Sequence, residues 1–171
     1  MAKTTAEIAS ILRVNHAGEY GAKRIYAGQL ASIKNAGARK IIEEMQAQEQ
    51  EHLDYFETQM RAQAVRPTIL QPLWHVGGWL LGAATAAMGE KAAFACTVAV
   101  ESVIAEHYES QLENTASTPD LHEKIAQFRQ DEMEHHDTSL QQGAEKAVAY
   151  TPLYHAIRGV TKLAIAASKR W

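Results

Sequence analysis

The chain has 171 residues, a formal net charge of −3 and a single cysteine, Cys96. The length predicts one domain covering residues 1–171. The slight negative charge gives no electrostatic basis for binding nucleic acid, and one cysteine excludes an internal disulfide and the usual thiolate zinc sites. Only four prolines interrupt long stretches rich in good helix formers, a composition that favours an all-α fold.

Two helices are predicted in the first third of the chain. The first begins near Thr4 or Thr5, since either side chain can cap it. It ends at Asn35-Ala36-Gly37, which has the composition of a helix stop. The second covers roughly residues 38–64 and ends before Arg66-Pro67.

The remaining helices are marked by prolines and glycines. Pro72 opens an apolar helix that extends to Met88, and a longer helix follows over roughly residues 91–114. Ser117-Thr118-Pro119-Asp120 is a start signal, because it offers a cap, a proline for the first turn and an acid for the helix dipole. Thr151-Pro152 repeats the signal for a short C-terminal helix.

Two copies of a Glu-x-x-His motif dominate the pattern. They are Glu49-Gln50-Glu51-His52 and Glu132-Met133-Glu134-His135, and in each the carboxylate and the imidazole share one helix face. A lone glutamate inside an apolar stripe precedes each copy by about thirty residues, Glu19 before the first and Glu101 before the second.

The spacing predicts two similar helical hairpins. The midpoint between each lone glutamate and its motif falls at a predicted turn, so folding back brings the two level with each other. The two halves repeat after 82 to 83 residues. Pairing the hairpins gives a four-helix bundle with one pseudo-twofold site, and the apolar helix becomes the crossover between them.

Four buried carboxylates with two imidazoles are costly unless they bind metal. Two cations turn the repulsion into binding; iron suits this oxygen-rich set, and manganese is the chemical competitor. Glu49 and Glu132 are predicted to bridge the ions and His52 and His135 to supply one nitrogen ligand each, with Glu19 and Glu101 terminal. The alternative, solvated helix faces, would explain one motif but not two copies in matched register.

Four further side chains near these ligands are candidates with more than one interpretation. Tyr26 and Tyr108 follow their glutamates by seven residues, so each is a hydrogen-bond partner of a ligand, a redox-active residue or a core tyrosine with a satisfied hydroxyl. His107 is a candidate proton shuttle or substrate contact. His16, one turn before Glu19, is either a ligand partner or a structural histidine.

The segment at 73–88 is apolar except for His75 and Thr85. Its sixteen residues are fewer than the roughly twenty that a membrane-spanning helix needs. We expect residues 72–88 to lie at a membrane surface or to cover the bundle. The first placement would give peripheral contact at the cytoplasmic face of the inner or cell membrane. Residues 1–10 lack the apolar core of a secretory signal.

With these residues assigned, the chain resembles the demethoxyubiquinone hydroxylase family of ubiquinone biosynthesis. The likeness extends over nearly the whole chain and is most specific in RVNHAGEYGA (residues 13–22), RIYAGQ (24–29), ACTVAVE (95–101) and FRQDEMEHHD (128–137). Asn15 departs from the family pattern, in which aspartate is expected.

The resemblance implies a ferritin-like di-iron monooxygenase. Such an enzyme hydroxylates the ring of a polyprenyl methoxy-methyl-benzoquinol with O₂, the penultimate step towards ubiquinone, with NADH as the ultimate electron donor. The family's ligands carry over as Glu19, Glu49, His52, Glu101, Glu132 and His135, with Tyr108 and His107 as further catalytic candidates. No glycine-rich nicotinamide fingerprint is visible.

Other classes fit part of the pattern. A ferritin-type iron-storage protein shares the ligands, as do a manganese catalase and a rubrerythrin-like peroxidase, but none explains the apolar helix. A non-catalytic membrane-associated quinone-binding protein explains that helix, and metal analysis separates it from an enzyme. A homo-oligomer or a partner protein of ubiquinone biosynthesis is compatible with the sequence.

Overall fold

The computed structural model describes residues 5–116 and 118–169. These ranges form six α-helices and a short 3₁₀ turn at Ala144–Lys146, and they contain no strand. The helices are α1 (Thr5–Ser32), α2 (Ala36–Ala62), α3 (Gln71–Ala87), α4 (Glu90–Thr115), α5 (Pro119–Gln141) and α6 (Tyr150–Ser168). The all-α prediction is confirmed.

Helix boundaries agree with the predicted ones to within a few residues, but two turns work differently. Asn35 was expected to belong to a stop; it instead caps α2, and its side chain accepts hydrogen bonds from the backbone N–H groups of Gly37 and Ala38. Thr118 occupies the N-cap position of α5 without a side-chain capping bond. The predicted cap Thr4 and residue Ser117 of the start signal lie outside the described residues.

The two predicted hairpins are present, α1 with α2 and α4 with α5. They face each other so that α1 and α4 are antiparallel: Asn15 pairs with Gln111 near one end, and Gln29 binds Thr97 and the Ala93 carbonyl further along. The core that fills the bundle includes Leu12, Ile42, Phe56 and other side chains from both hairpins. This architecture confirms a ferritin-like bundle.

The crossover helix α3 runs parallel to α1 and packs tightly against it. Three glycines permit this approach: a Cβ at Gly82 would overlap the Ile25 carbonyl oxygen, one at Gly28 would overlap the Trp79 carbonyl oxygen, and one at Gly78 would lie 3.0 Å from the Gly21 carbonyl oxygen. Backbones therefore meet directly along this interface, as small residues allow.

The outer face of α3 is apolar and open to solvent. Leu73, Val76 and Leu80 are each more than half exposed, and Val160 and Leu163 of α6 are exposed as well. We call these five side chains the apolar face. None of the helices in the two described ranges has the length and hydropathy required to cross a bilayer.

Candidate metal centre

Six side chains from α1, α2, α4 and α5 meet at the centre of the bundle. Each is at most 2% exposed. They form two overlapping groups whose potential ligand atoms all lie within 4.8 Å of one another. The first group is Glu19, Glu49, His52 and Glu132, and the second is Glu49, Glu101, Glu132 and His135.

Glu49 and Glu132 belong to both groups and lie between them. The carboxylate of Glu132 spans the two histidines: Oε1 is 3.3 Å from His52 Nδ1, and Oε2 is 3.6 Å from His135 Nδ1. His52 Nδ1 also lies 3.3 Å from Oε2 of Glu19. On the other side, Glu49 Oε1 is 3.1 Å from His135 Nδ1. Both imidazoles thus turn Nδ1 inward.

The inward-facing atoms are poorly satisfied by each other. Both carboxylate oxygens of Glu49 and of Glu132, one oxygen of Glu101 and His135 Nδ1 are buried without a well-oriented hydrogen bond. Such buried orphan atoms are rare and costly. Four carboxylates and two imidazole nitrogens match the donors that iron and manganese prefer, so the residues fit two metal ions.

The electrostatics of the protein without metal agree with this fit. Burial and the charge of Glu132 raise the pKa of Glu19, Glu49 and Glu101. Burial also opposes charge on Glu132 and on both imidazoles, but their mutual attraction outweighs it. The pKa of Glu132 falls to about 2, and the pKa of His52 rises to about 12 and that of His135 to about 11. Metal ions that bind here would therefore displace protons from these side chains.

Tyr26 and Tyr108 each donate a hydrogen bond to one of the two lone glutamates. Tyr26 of α1 donates its hydroxyl proton to Glu101 of α4 at 2.6 Å, and Tyr108 of α4 donates to Glu19 of α1. The two bonds cross between the hairpins and hold each terminal glutamate from the opposite side. Both tyrosines are also fully buried, so each is a core tyrosine whose hydroxyl is satisfied by a predicted ligand, and any catalytic role stays a prediction.

The outer nitrogens of the histidines contact two side chains that are not among the predicted site residues. His52 Nε2 lies 3.1 Å from Asp131 Oδ2, and His135 Nε2 lies 2.8 Å from Gln48 Oε1. Each partner directly precedes the shared glutamate of its helix, Gln48 before Glu49 and Asp131 before Glu132. Their matching positions in the two repeats are the sequence feature that could have identified them as partners of the histidines.

Two other candidates lie outside the two ligand groups. His107 is mostly buried, and its Nε2 accepts a hydrogen bond from Gln111 at 2.7 Å. Burial and then the charge of Lys169 lower its pKa to about 4, so it is neutral at physiological pH; its catalytic role stays a prediction. His16 is buried with its Nε2 3.8 Å from Glu57, which favours the structural interpretation.

An apolar cavity of about 270 Å³ adjoins the centre, between α1, α3, α4 and α6. Its lining includes Gly18 and Val100, which are the chain neighbours of Glu19 and Glu101. Most of the lining is aliphatic or glycine; Trp74, Thr161 and Ser168 add the polar groups. We call this space the apolar cavity.

Comparisons with known proteins identify the family of the chain. A sequence profile of the family described as "Ubiquinone biosynthesis protein COQ7" matches residues 6–168. A rat protein named "NADPH-dependent 3-demethoxyubiquinone 3-hydroxylase, mitochondrial" is 47% identical over 171 residues, covering 97% of this chain and 79% of the rat protein.

Two further relatives carry similar names. A Rhodospirillum rubrum protein named "3-demethoxyubiquinol 3-hydroxylase" is 45% identical over 167 residues, or 96% of this chain and 79% of that protein. A Saccharomyces cerevisiae protein named "5-demethoxyubiquinone hydroxylase, mitochondrial" is 35% identical over 178 residues, or 94% and 76%. The chain belongs to the COQ7 family of ubiquinone biosynthesis proteins.

Proposed function

We propose that this chain is a di-iron monooxygenase that hydroxylates the ring of a polyprenyl methoxy-methyl-benzoquinol with O₂. The observation that carries the proposal is the pair of overlapping Glu/His groups that share Glu49 and Glu132. Storage proteins use similar ligands, but the names of the relatives specify hydroxylation, and an apolar cavity beside the ligands suits an organic substrate.

The six side chains would hold the two iron ions in a symmetric way. Glu19 and His52 would complete the coordination of one ion, Glu101 and His135 that of the other, and Glu49 and Glu132 would bridge them. When bound, the ions would supply the activation of O₂, from which one oxygen atom is added to the ring. The second oxygen leaves as water, with two electrons from a donor and two protons.

The protein's own contribution is orientation and exclusion of water. Tyr26 and Tyr108 fix the terminal glutamates through their hydroxyl groups. The ring of Phe128 lies 4.0 Å from the imidazole of His52, centroid to centroid, and covers it. A centre whose ligands are at most 2% exposed keeps solvent away from the reacting oxygen.

The apolar cavity is the proposed binding site of the quinol ring. An apolar cavity of about 150 Å³ accommodates benzene, so 270 Å³ leaves room for a substituted ring. Gly18, Gly21 and Gly77 keep the wall free of side chains on the α1 and α3 sides. The ring would then contact Gly18 and Val100, the chain neighbours of Glu19 and Glu101.

A substrate with a polyprenyl tail would explain why the protein exposes the apolar face. A long isoprenoid chain partitions into lipid, so its enzyme benefits from apolar contact with the membrane surface. Leu73 contributes both to the apolar face and to the cavity lining, which would connect lipid to the ring site. We therefore propose peripheral binding through α3 at the cytoplasmic or equivalent face of the membrane.

The electron donor is proposed as a reduced nicotinamide. The names of the rat relative and several others specify NADPH, whereas the family resemblance implied NADH. The described residues form no strand, so they do not form a strand–turn–helix nucleotide-binding unit. Electrons would reach the centre through a surface contact, the quinone itself or a separate reductase.

The test is hydroxylation by purified protein. Metal-free protein is loaded with Fe(II) anaerobically, then given O₂, a short-chain demethoxyquinol and either NADH or NADPH. Mass spectrometry should find product with one added oxygen atom, labelled when ¹⁸O₂ is used. A matched reaction with Glu101→Ala should give none. Iron uptake and mineral build-up without product would support storage instead.

A further inference from the structure

The candidate metal centre is nearly twofold symmetric. Each terminal glutamate accepts a tyrosine hydroxyl from the other hairpin. Each imidazole directs Nδ1 to carboxylates in the interior, and each directs Nε2 outward to the residue before the opposite shared glutamate. By these contacts alone, the two metal positions would be equivalent.

The symmetry fails at the outer partners. Behind His52 stands the carboxylate of Asp131, with Oδ2 3.1 Å from Nε2. Behind His135 stands the amide of Gln48, with Oε1 2.8 Å from Nε2. Both oxygens accept a hydrogen bond from the imidazole Nε2–H, so both orient the ring with Nδ1 toward the metal position. Only Asp131 adds a negative charge.

That charge makes His52 the stronger ligand. A carboxylate that accepts the outer N–H of an imidazole pulls its proton and raises the basicity of the nitrogen that faces the metal. A neutral amide orients the ring but polarises it less, since hydrogen bonds to charged groups are roughly twice as strong. Asp131 is one-fifth exposed by its side chain, so water screens its charge only in part.

We infer that Asp131 and Gln48 make the two metal positions unequal: the position of Glu19 and His52 binds a divalent ion more tightly and fills first. The inference rests on the proposed two-metal centre. Asp131 and Gln48 are positioning residues, because each acts through the imidazole that it holds. Stepwise filling would leave the position of Glu101 and His135 as the one that exchanges metal more readily.

The test exchanges the two partners with nearly isosteric variants. Metal-free wild type, Asp131→Asn, Gln48→Glu and the double variant are titrated with Co(II) under argon and followed by absorbance and calorimetry. Loss of an outer partner of this kind changes metal affinity by about 10- to 100-fold. The wild type should therefore show two steps about tenfold apart. Asp131→Asn should weaken the first step, and Gln48→Glu should strengthen the second.

Anomalous diffraction identifies which position fills. Crystals soaked with half an equivalent of Co(II) should show most of the cobalt beside His52 in the wild type and beside His135 in the double variant. Equal occupancy in the wild type, or an unchanged order in the double variant, overturns the inference. Failure of Co(II) and Fe(II) to bind at either position would instead overturn the proposed function.

Discussion

The two faces of the α1/α4 pair have opposite chemistry. The face toward α2 and α5 carries Glu19 and Glu101 among unsatisfied buried oxygens, while the face toward α3 and α6 borders the apolar cavity. The change occurs within one residue, from Gly18 to Glu19 and from Val100 to Glu101, because successive side chains on a helix point about 100° apart. A buried charged cluster and an apolar cavity therefore lie on opposite sides of the same two helices.

The largest effect is expected from a change in the buried Glu/His cluster. Glu132→Ala deletes the carboxylate that spans His52 and His135, so we expect loss of bound iron and loss of hydroxylation beyond the roughly 100-fold effect of outer partners. Glu134→Ala, an exposed glutamate on the same helix, is the matched control and should keep both. Normal iron content and turnover in Glu132→Ala would contradict the site.

The apolar side can be filled without touching a ligand. Gly21 lines the cavity, and a Cβ placed there meets no atom within 4 Å. Gly21→Leu should lower turnover on the order of 100-fold by displacing the ring while iron content stays normal. Gly159→Leu, at a solvent-exposed glycine of α6, should leave turnover unchanged. Equal turnover in the two variants would mean that the ring binds elsewhere.

The close packing of α3 on α1 supports the cavity and can be tested by stability. A Cβ at Gly82 would overlap the Ile25 carbonyl oxygen, so Gly82→Ala should lower the free energy of unfolding by about 1–3 kcal/mol. Gly159→Ala meets no neighbour and should raise it by up to about 1 kcal/mol. Urea denaturation of both variants measures the difference, and a stabilised Gly82→Ala would refute this helix contact.

Changing the pH distinguishes the metal-free from the metal-loaded centre. The folded-state pKa values of Glu19, Glu49 and Glu101 are raised, and those of His52 and His135 are raised to about 12 and 11. Groups with raised folded pKa values lose their stabilising contribution as pH rises. The metal-free protein should therefore become less stable from pH 6 to pH 8.

Metal replaces those protons, and it binds better at higher pH. The gap in Tm between metal-loaded and metal-free protein should widen by about 5 °C over this pH range, a change of 1 to 2 kcal/mol for a chain of this size. Differential scanning calorimetry measures both forms in the same buffers. A gap that narrows as pH rises would contradict the assigned proton positions.

The smallest expected effect concerns the apolar face. Val76→Glu with Leu80→Glu changes two exposed side chains of α3 and should reduce binding to lipid vesicles on the order of tenfold, with normal iron content. Ala47→Glu with Ala62→Glu places the same charge on exposed positions of α2 and serves as control. Equal vesicle binding in a sedimentation assay would exclude a membrane role for α3.

The sequence predicted the elements that repeat. Helix order, hairpin turns and the meeting of Glu19 and Glu101 with the Glu-x-x-His motifs follow from periodicity and matched spacing, which depend on helix geometry alone. The assigned ligand roles are proposals that rest on this geometry and on the family. Asn35 was misjudged because an asparagine between two helices can end one or cap the next.

Features between helices were beyond sequence reasoning. The parallel course of α3 along α1, which creates the cavity, depends on where Gly28, Gly78 and Gly82 meet backbone carbonyls. The contacts of Asp131 and Gln48 with the opposite helix's histidines likewise depend on how the two hairpins are offset. Periodicity identifies a face, but it does not identify which neighbour that face meets.

Diffraction at the iron absorption edge tests the central claim most directly. Crystals of the protein loaded with Fe(II) under anaerobic conditions should show two anomalous peaks, one beside Glu19 and His52 and one beside Glu101 and His135, with Glu49 and Glu132 between them. A single peak, or iron bound only outside this cluster, would contradict the account of a paired centre built from four helices.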